Sequence, residues 1–151
     1  MLGIAPEDDM TNLDLMIYRL ACGMAAADGE LSTNEATILE VLAKSLGLSA
    51  EETGSLAAEA EKIDYTALRR LFPEPQQRDR LFETAALMAM ADGRSDVEEW
   101  RLATRLAEAL GFDRARVQQR LEAARARLRE LAAEHDLAPE IRANLARQGI
   151  E

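Results

Sequence analysis

The chain has 151 residues, of which 48% are apolar and 30% are charged, a balance that excludes wholesale disorder and predicts a soluble globular protein. Its net charge of −10 excludes a general nucleic-acid binder, because phosphate groups would be repelled at long range. The excess charge is uneven: residues 1–65 hold thirteen acids against three bases, whereas residues 66–151 hold fifteen of each.

The single cysteine, Cys22, and the single histidine, His135, exclude an intramolecular disulfide and zinc sites built from several cysteines or histidines. The N-terminus lacks the pattern of a secretory signal, and no apolar run approaches the ~20 residues that span a membrane. No P-loop, dinucleotide-binding glycine pattern, nucleophile elbow or HExxH motif is present. We therefore expect a cytoplasmic protein with no membrane insertion and no organic cofactor.

Helical periodicity runs through almost the whole chain, and strand-forming residues are sparse. In the first half of the chain, the first predicted helix runs from Thr11 to the Asp28-Gly29 turn, the second ends at Gly47, the third begins at a capping box formed by Ser49 and Glu52, and the fourth covers Tyr65–Phe72. In the second half, helices are predicted from about Gln76 to Ala91, over Val97–Leu110 and from Asp113 to about Glu134. A last short helix is predicted at Pro139. The predicted class is all-α, with residues 1–151 forming a single domain of seven to eight helices.

An internal repeat is the most informative feature of the sequence. A shift of 64 positions aligns Ala21–Gly29 with Ala85–Gly93 and, without a gap, Glu35 with Glu99 and Leu46-Gly47 with Leu110-Gly111. The repeats cover about residues 13–48 and 77–112, and residues 114–151 form a C-terminal helical extension. We interpret the repeats as two related helix hairpins that share one core.

Each hairpin carries oxygen-bearing side chains at fixed spacing around its Asp-Gly turn. The first set is Asp28, Ser32 and Glu35, with Glu30 nearby, and the second is Asp92, Asp96 and Glu99. Such hard ligands suit Ca²⁺, Mg²⁺ or Mn²⁺, although the spacing is not that of an EF-hand. One interpretation is therefore a divalent-cation site, with the following acids as ligands: Asp28, Glu35, Asp92, Asp96 and Glu99.

Helix capping is the alternative explanation. Ser32-x-x-Glu35 is a capping box, and Asp96-x-x-Glu99 is a close relative of one. Capping explains Asp28 and Asp92 less well, because a carboxylate at a helix C-terminus meets the negative end of the helix dipole. An Asp-Gly pair is, however, also a common turn.

The helix that follows Asp113 carries an arginine stripe. Such a stripe could bind an acidic partner, fold back on the acidic first half, or form a solvated helix face supported by local ion pairs. Its members are Arg114, Arg116, Arg120, Arg125, Arg127 and Arg129. Cys22, Trp100 and the methionines are expected to pack in or beside the core.

The segment Ala89–Asp113, with its Asp92-Gly93 turn, resembles the second repeat of the TerB tellurite-resistance family, and Ala27–Glu35 resembles the first. Related helical modules stand at the start of DjlA-type co-chaperones. The resemblance covers about residues 10–115 and implies a duplicated helical fold, a bacterial stress or tellurium-resistance association, and a divalent-metal role for the five acids. Ser32 replaces a frequent acid of the family, which implies weaker binding or a scaffolding role in the first repeat.

Three functions follow as hypotheses. The first is a TerB-like stress protein whose acidic hairpins bind a divalent cation and dock partner proteins. The second is a metal-free protein–protein interaction module, similar to a co-chaperone adaptor, with the acidic half and the arginine stripe as partner surfaces. An enzyme, such as a metal-dependent hydrolase that uses the same acids, ranks last because no histidine base, nucleophile elbow or phosphate-binding loop accompanies them.

Overall fold

The computed structural model describes residues 6–27, 32–91 and 97–135, with side chains for 12–27, 32–91 and 100–135. All regular elements in these ranges are helical, which confirms the predicted all-α class. They are α1 (Pro6–Ala25), α2 (Thr33–Leu46), α3 (Ala50–Ala58), a short 3₁₀ turn (Ala60–Lys62), α4 (Tyr65–Leu71), α5 (Pro75–Met90), α6 (Val97–Leu110) and α7 (Arg114–His135). The helix predicted at Pro139 lies outside the described residues.

The helix boundaries follow local sequence signals. Ser49 caps α3 through the predicted box with Glu52, and Asp113 accepts a hydrogen bond from the backbone N–H of Arg116 at the start of α7. The largest difference from the predicted boundaries is at α1, which begins at Pro6 and not at Thr11. A proline is favoured in the first helical turn because its φ is already helical and its missing N–H is not needed there.

Each copy of the repeat forms a helix hairpin. Helix α1 packs against α2, which we call the first hairpin, and α5 packs against α6, the second hairpin. The two leading helices, α1 and α5, also pack against each other. Aligned residues of these two helices are buried in both copies, as for Ile17 and Leu81 and for Met24 and Met88. In α1 and α5 the repeat alignment therefore corresponds to equivalent burial at these positions.

Both hairpins also end in the same way. Gly47 has a φ of +72° and Gly111 a φ of +79°. The following residue donates its backbone N–H to the carbonyl five positions earlier, Leu48 to Ala43 and Phe112 to Ala107, both at 3.0 Å. This is the Schellman arrangement, whose left-handed residue suits glycine.

Helix α5 lies at the centre of the packing. It contacts α1, α6 and α7, and Leu81, Phe82 and every residue of 85–90 are buried. Residues 85–90 form an apolar run, and a helical segment that is apolar on all sides is expected to be covered on all sides. One continuous apolar cluster takes residues from both hairpins, from α4 and from α7, as expected for two hairpins with a common core. None of the helices in the described ranges is long and apolar enough to cross a bilayer.

Part of the arginine stripe attaches α7 to α5. Arg116 donates to both carboxylate oxygens of Asp79, with Nε–Oδ1 at 2.8 Å and Nη2–Oδ2 at 2.7 Å. Arg120 donates to Glu83 at 2.8 Å. These acids belong to the second half of the chain and not to the acidic first half, which corrects one of the three expectations for these two arginines. Arg127 pairs with Glu130 on the same helix, a local ion pair of the predicted type.

Candidate functional site

The first hairpin turn connects the end of α1 with a capped start of α2. The backbone N–H of Ser32 donates to Oε1 of Glu35 at 3.0 Å, and the N–H of Glu35 donates to the Ser32 hydroxyl at 3.1 Å. Both halves of a capping box are therefore present, and the capping explanation of Ser32 and Glu35 is confirmed.

A second capping box in the same chain offers a comparison. Ser49 and Glu52 make the same two hydrogen bonds, at 2.9 and 3.1 Å, and Glu52 is exposed to solvent. Glu35 has only 1% of its surface exposed, and its neighbour Asn34 is also buried. Burial of a carboxylate is costly unless other groups compensate its charge. Capping therefore accounts for these two hydrogen bonds, whereas the exposed Glu52 shows that a capping box does not require a buried glutamate.

The other predicted ligands are Asp28, Asp92, Asp96 and Glu99. The first three lie outside the described residues, and for Glu99 the structure describes the backbone at the start of α6 but not the side chain. Among the side chains that are described, no three from His, Cys, Asp and Glu come together as a metal-ligand group. The cation site formed by the five acids thus stays a prediction. Among these acids, Glu35 has a side chain that the structure describes.

A cavity of about 450 Å³ opens beside the first hairpin turn. Ala26 and Ala27, which directly precede Asp28, form part of its wall, and the 3₁₀ turn, the start of α4 and one side of α6 complete it. Its charged lining residues are Glu61, Asp64 and Arg105. The cavity therefore lies between the chain that enters the first acidic turn and the helix that leaves the second.

Hydrogen bonding and burial set the charges in this cavity. Asp64 accepts a hydrogen bond of 2.6 Å from the Thr66 hydroxyl, and this bond is the main cause that lowers the pKa of Asp64. Burial raises the pKa of Tyr65, and the positive charge of Arg105 partly offsets the rise. The guanidinium of Arg105 lies 6.0 Å from the centre of the Tyr65 ring, at the range of a cation–π contact. At neutral pH the cavity thus holds an ionised Asp64, a cationic Arg105 and a neutral tyrosine hydroxyl.

Cys22 and His135 have ordinary structural environments. Burial raises the pKa of the Cys22 thiol, and a hydrogen bond with Tyr18 offsets this only in part. The thiol is therefore protonated at neutral pH, which is the opposite of what a nucleophilic cysteine requires. His135 is the last residue of α7, where its Nε2 lies 3.6 Å from Glu134.

Sequence reasoning missed the residues of the cavity. Gly23, Asp64 and Arg105 come from three separate elements and belong to no short motif. No family model, no curated protein and no solved structure matches this chain.

Proposed function

We propose that this chain is a non-catalytic, TerB-like helical module that binds a divalent cation at its first hairpin turn and docks partner proteins. The observation that carries the proposal is the near-complete burial of Glu35 at the start of α2, directly after the Asp28 turn. Ca²⁺, Mg²⁺ and Mn²⁺ are the cations that carboxylate ligands suit best.

The comparison with Glu52 supports a role for Glu35 beyond capping. Both residues complete the same capping box, yet the box at Ser49 works with its glutamate in solvent. A glutamate carboxylate that follows the Asp28-Gly29 pair in sequence is an oxygen ligand of the kind that divalent cations take. The matching burial of α1 and α5 residues also supports the internal duplication that the TerB resemblance implies.

The proposed role is binding and not catalysis. The single cysteine, Cys22, is buried with a raised pKa and is therefore not an activated nucleophile. A bound cation in this role would stabilise the turn and present a fixed surface to a partner.

Thermal unfolding with Ca²⁺, Mg²⁺ or Mn²⁺ in turn tests the proposal. A cation at about one hundred times its Kd adds about 2.7 kcal/mol, which raises the melting temperature of a domain of this size by about 5–10 °C. We expect E35Q to lose most of this rise, because glutamine keeps the capping geometry but removes the charge.

The matched control is E52Q, which makes the same change in the exposed capping box and should leave the cation response intact. A wild-type protein that responds to none of the three cations would contradict the proposal, as would an E35Q variant that responds like wild type.

A metal-free interaction module is the second candidate, and the surface charge of residues 40–64 favours it. This stretch carries more exposed acids than bases; the acids are Glu40, Glu51, Glu52, Glu59, Glu61 and Asp64, and the bases are Lys44 and Lys62. A partner bound there should be released by salt, because exposed charges are screened beyond about 8–10 Å at physiological ionic strength.

Affinity capture at low and high salt, with and without chelator, separates the two candidates. Capture that is lost in chelator supports the cation-dependent module. Capture that is lost only in high salt supports the metal-free module, and failure to capture any partner at low salt counts against docking in either form.

A further inference from the structure

Gly23 permits the close approach that forms the cavity beside α1. A Cβ atom at this position would lie 3.3 Å from the backbone oxygen of Ala60 in the 3₁₀ turn, closer than most Cβ contacts. The glycine therefore lets the 3₁₀ turn pack directly on α1. Ala26 and Ala27 continue the wall with small side chains, so the space above them stays open.

Opposite charges line this open space. Glu61 from the 3₁₀ turn and Asp64 from the start of α4 contribute carboxylates, and Arg105 from α6 contributes a guanidinium. The side chains of Glu61 and Arg105 form no ion pair or hydrogen bond within the described part of the chain, and the guanidinium of Arg105 lies over the Tyr65 ring. These two charges are thus available to a ligand, and Asp64, whose Oδ1 accepts the hydrogen bonds from Thr66, adds a second negative charge.

The arrangement selects against simple ligands. A small anion at Arg105 would meet the field of two carboxylates, and a metal cation at the carboxylates would meet that of Arg105. A ligand that carries both a carboxylate and an ammonium group can pair its carboxylate with the arginine and its ammonium group with the acids of the cavity. Ile63 and Leu102 offer apolar contact to its carbon chain. The volume of about 450 Å³ falls in the range of small-molecule pockets.

We propose that this cavity binds a small zwitterion of the amino-acid class, with its carboxylate at Arg105 and its ammonium group at Glu61 and Asp64. The site is separate from the proposed cation site, since it uses none of the five predicted metal ligands. A bound zwitterion would bridge α6 and the 3₁₀ turn.

Calorimetric titration with a graded series of ligands tests this site. The series is glycine, β-alanine, 4-aminobutyrate and lysine, in which the distance between the carboxylate and the terminal ammonium group increases, with acetate and ethylammonium as single-charge probes. We expect at least one zwitterion to bind at millimolar concentration or below, and both single-charge probes to bind at least about tenfold more weakly. Acetate that binds as well as every zwitterion would overturn the proposal, as would a series in which nothing binds.

Variants on the walls of the cavity sharpen the test. R105Q and E61Q change exposed side chains and should each weaken the best zwitterion by about tenfold or more, whereas R114Q, an exposed arginine on α7, should have no effect. A26F fills the cavity without changing its charges and should abolish binding. R105Q that binds like wild type would overturn the proposal. The rise in melting temperature that a cation gives R105Q should match that of wild type. The cation site and the zwitterion site can therefore be tested independently of each other.

Discussion

Leu42 in the first hairpin and Leu106 in the second occupy equivalent positions of the repeat, yet their environments differ. Leu106 has no exposed surface, whereas Leu42 is half-buried, and the same difference separates Leu110 from Leu46. The second hairpin is covered on several sides, because α7 and α1 pack on α5 while α4 packs on α6. Helix α2 packs mainly on α1 and presents its other side to solvent.

The difference between the hairpins shows that two copies of one sequence pattern can be buried to different extents. Helix α5 of the second hairpin supplies the centre of the core, whereas α2 of the first hairpin keeps one side exposed to solvent. The repeated pattern alone therefore does not determine how deeply each copy is buried.

Truncation of the equivalent leucines should give the largest contrast. L106A removes a fully buried side chain and should lower the free energy of unfolding by about 2–5 kcal/mol, while L42A at a half-buried position should cost about 1–2 kcal/mol. Urea unfolding of both variants measures the contrast. Equal losses would show that the two hairpins carry the same share of the stability.

Removal of one charged side chain should show that the ion pair on α5 contributes more to stability than the ion pair on α1. D79N breaks the paired contact with Arg116 on α7 and should cost about 1–2 kcal/mol, because both partners are partly buried. D14N on α1 breaks a single contact of 3.4 Å with Arg80, which is largely exposed, and should cost less than about 0.5 kcal/mol. Unfolding at low and high salt tests this, since the D14N effect should disappear at high salt. A D79N loss as small as that of D14N would mean that α7 is held by its apolar contacts alone.

Substitution of the two cap glycines tests whether the equivalent ends of the two hairpins contribute equally to stability. G47A and G111A each place a side chain at positive φ and should each cost about 1–2 kcal/mol. A Cβ at Gly47 meets open space, whereas a Cβ at Gly111 lies 2.7 Å from Nη1 of Arg69. Because Arg69 is an exposed, flexible side chain that can move aside, we expect G111A to exceed G47A only slightly. Thermal unfolding compares them, and a much larger loss in G111A would show that the position of Arg69 is important for stability.

The equivalent aromatic residues Tyr18 of α1 and Phe82 of α5 should differ in their effect on the free energy of unfolding, mainly at high pH. Burial, with a smaller contribution from Cys22, raises the pKa of Tyr18 to about 12, while the repeat places Phe82 at the equivalent position. An unfolded tyrosine titrates near 10, so unfolding releases a proton between about pH 10 and 12 and the free energy of unfolding falls as pH rises through this window.

Y18F together with C22A reproduces the Phe82 and Ala86 pair of the second hairpin and should make that fall shallower. Unfolding by urea at pH 8 and pH 11 measures the slope, with Y18F alone as the control for the contribution of Cys22. An unchanged slope in both variants would contradict the raised pKa of Tyr18.

The sequence predicted what depends on neighbours along the chain. Capping residues such as Ser49 and Asp113 and the cap glycines Gly47 and Gly111 act within one helical turn, so the helix ends could be placed from spacing alone. The capping box at Glu35 was predictable for the same reason. Its burial was not, because the exposure of a cap depends on which distant elements pack over it.

The features that sequence reasoning missed depend on contacts between distant segments. The cavity forms where Gly23 meets Ala60, and its charged walls bring together residues 61–64 and Arg105. Periodicity predicted the arginine stripe of α7 but not its partners in α5. Such pairings follow from the arrangement of helices in space, for which the sequence of a single chain holds no local signal.

The ion pairs between α5 and α7 also fix how far one helix can slide along the other. Asp79 and Glu83 are four residues apart, as are Arg116 and Arg120, and the pairs follow the same order in both helices, so the helices run in the same direction. A slip of α7 by one turn, about 5.4 Å, would place either Ala124 opposite Glu83 or Phe112 opposite Asp79. Each slipped state would leave one acid without its arginine, so a single alignment of the two helices satisfies both.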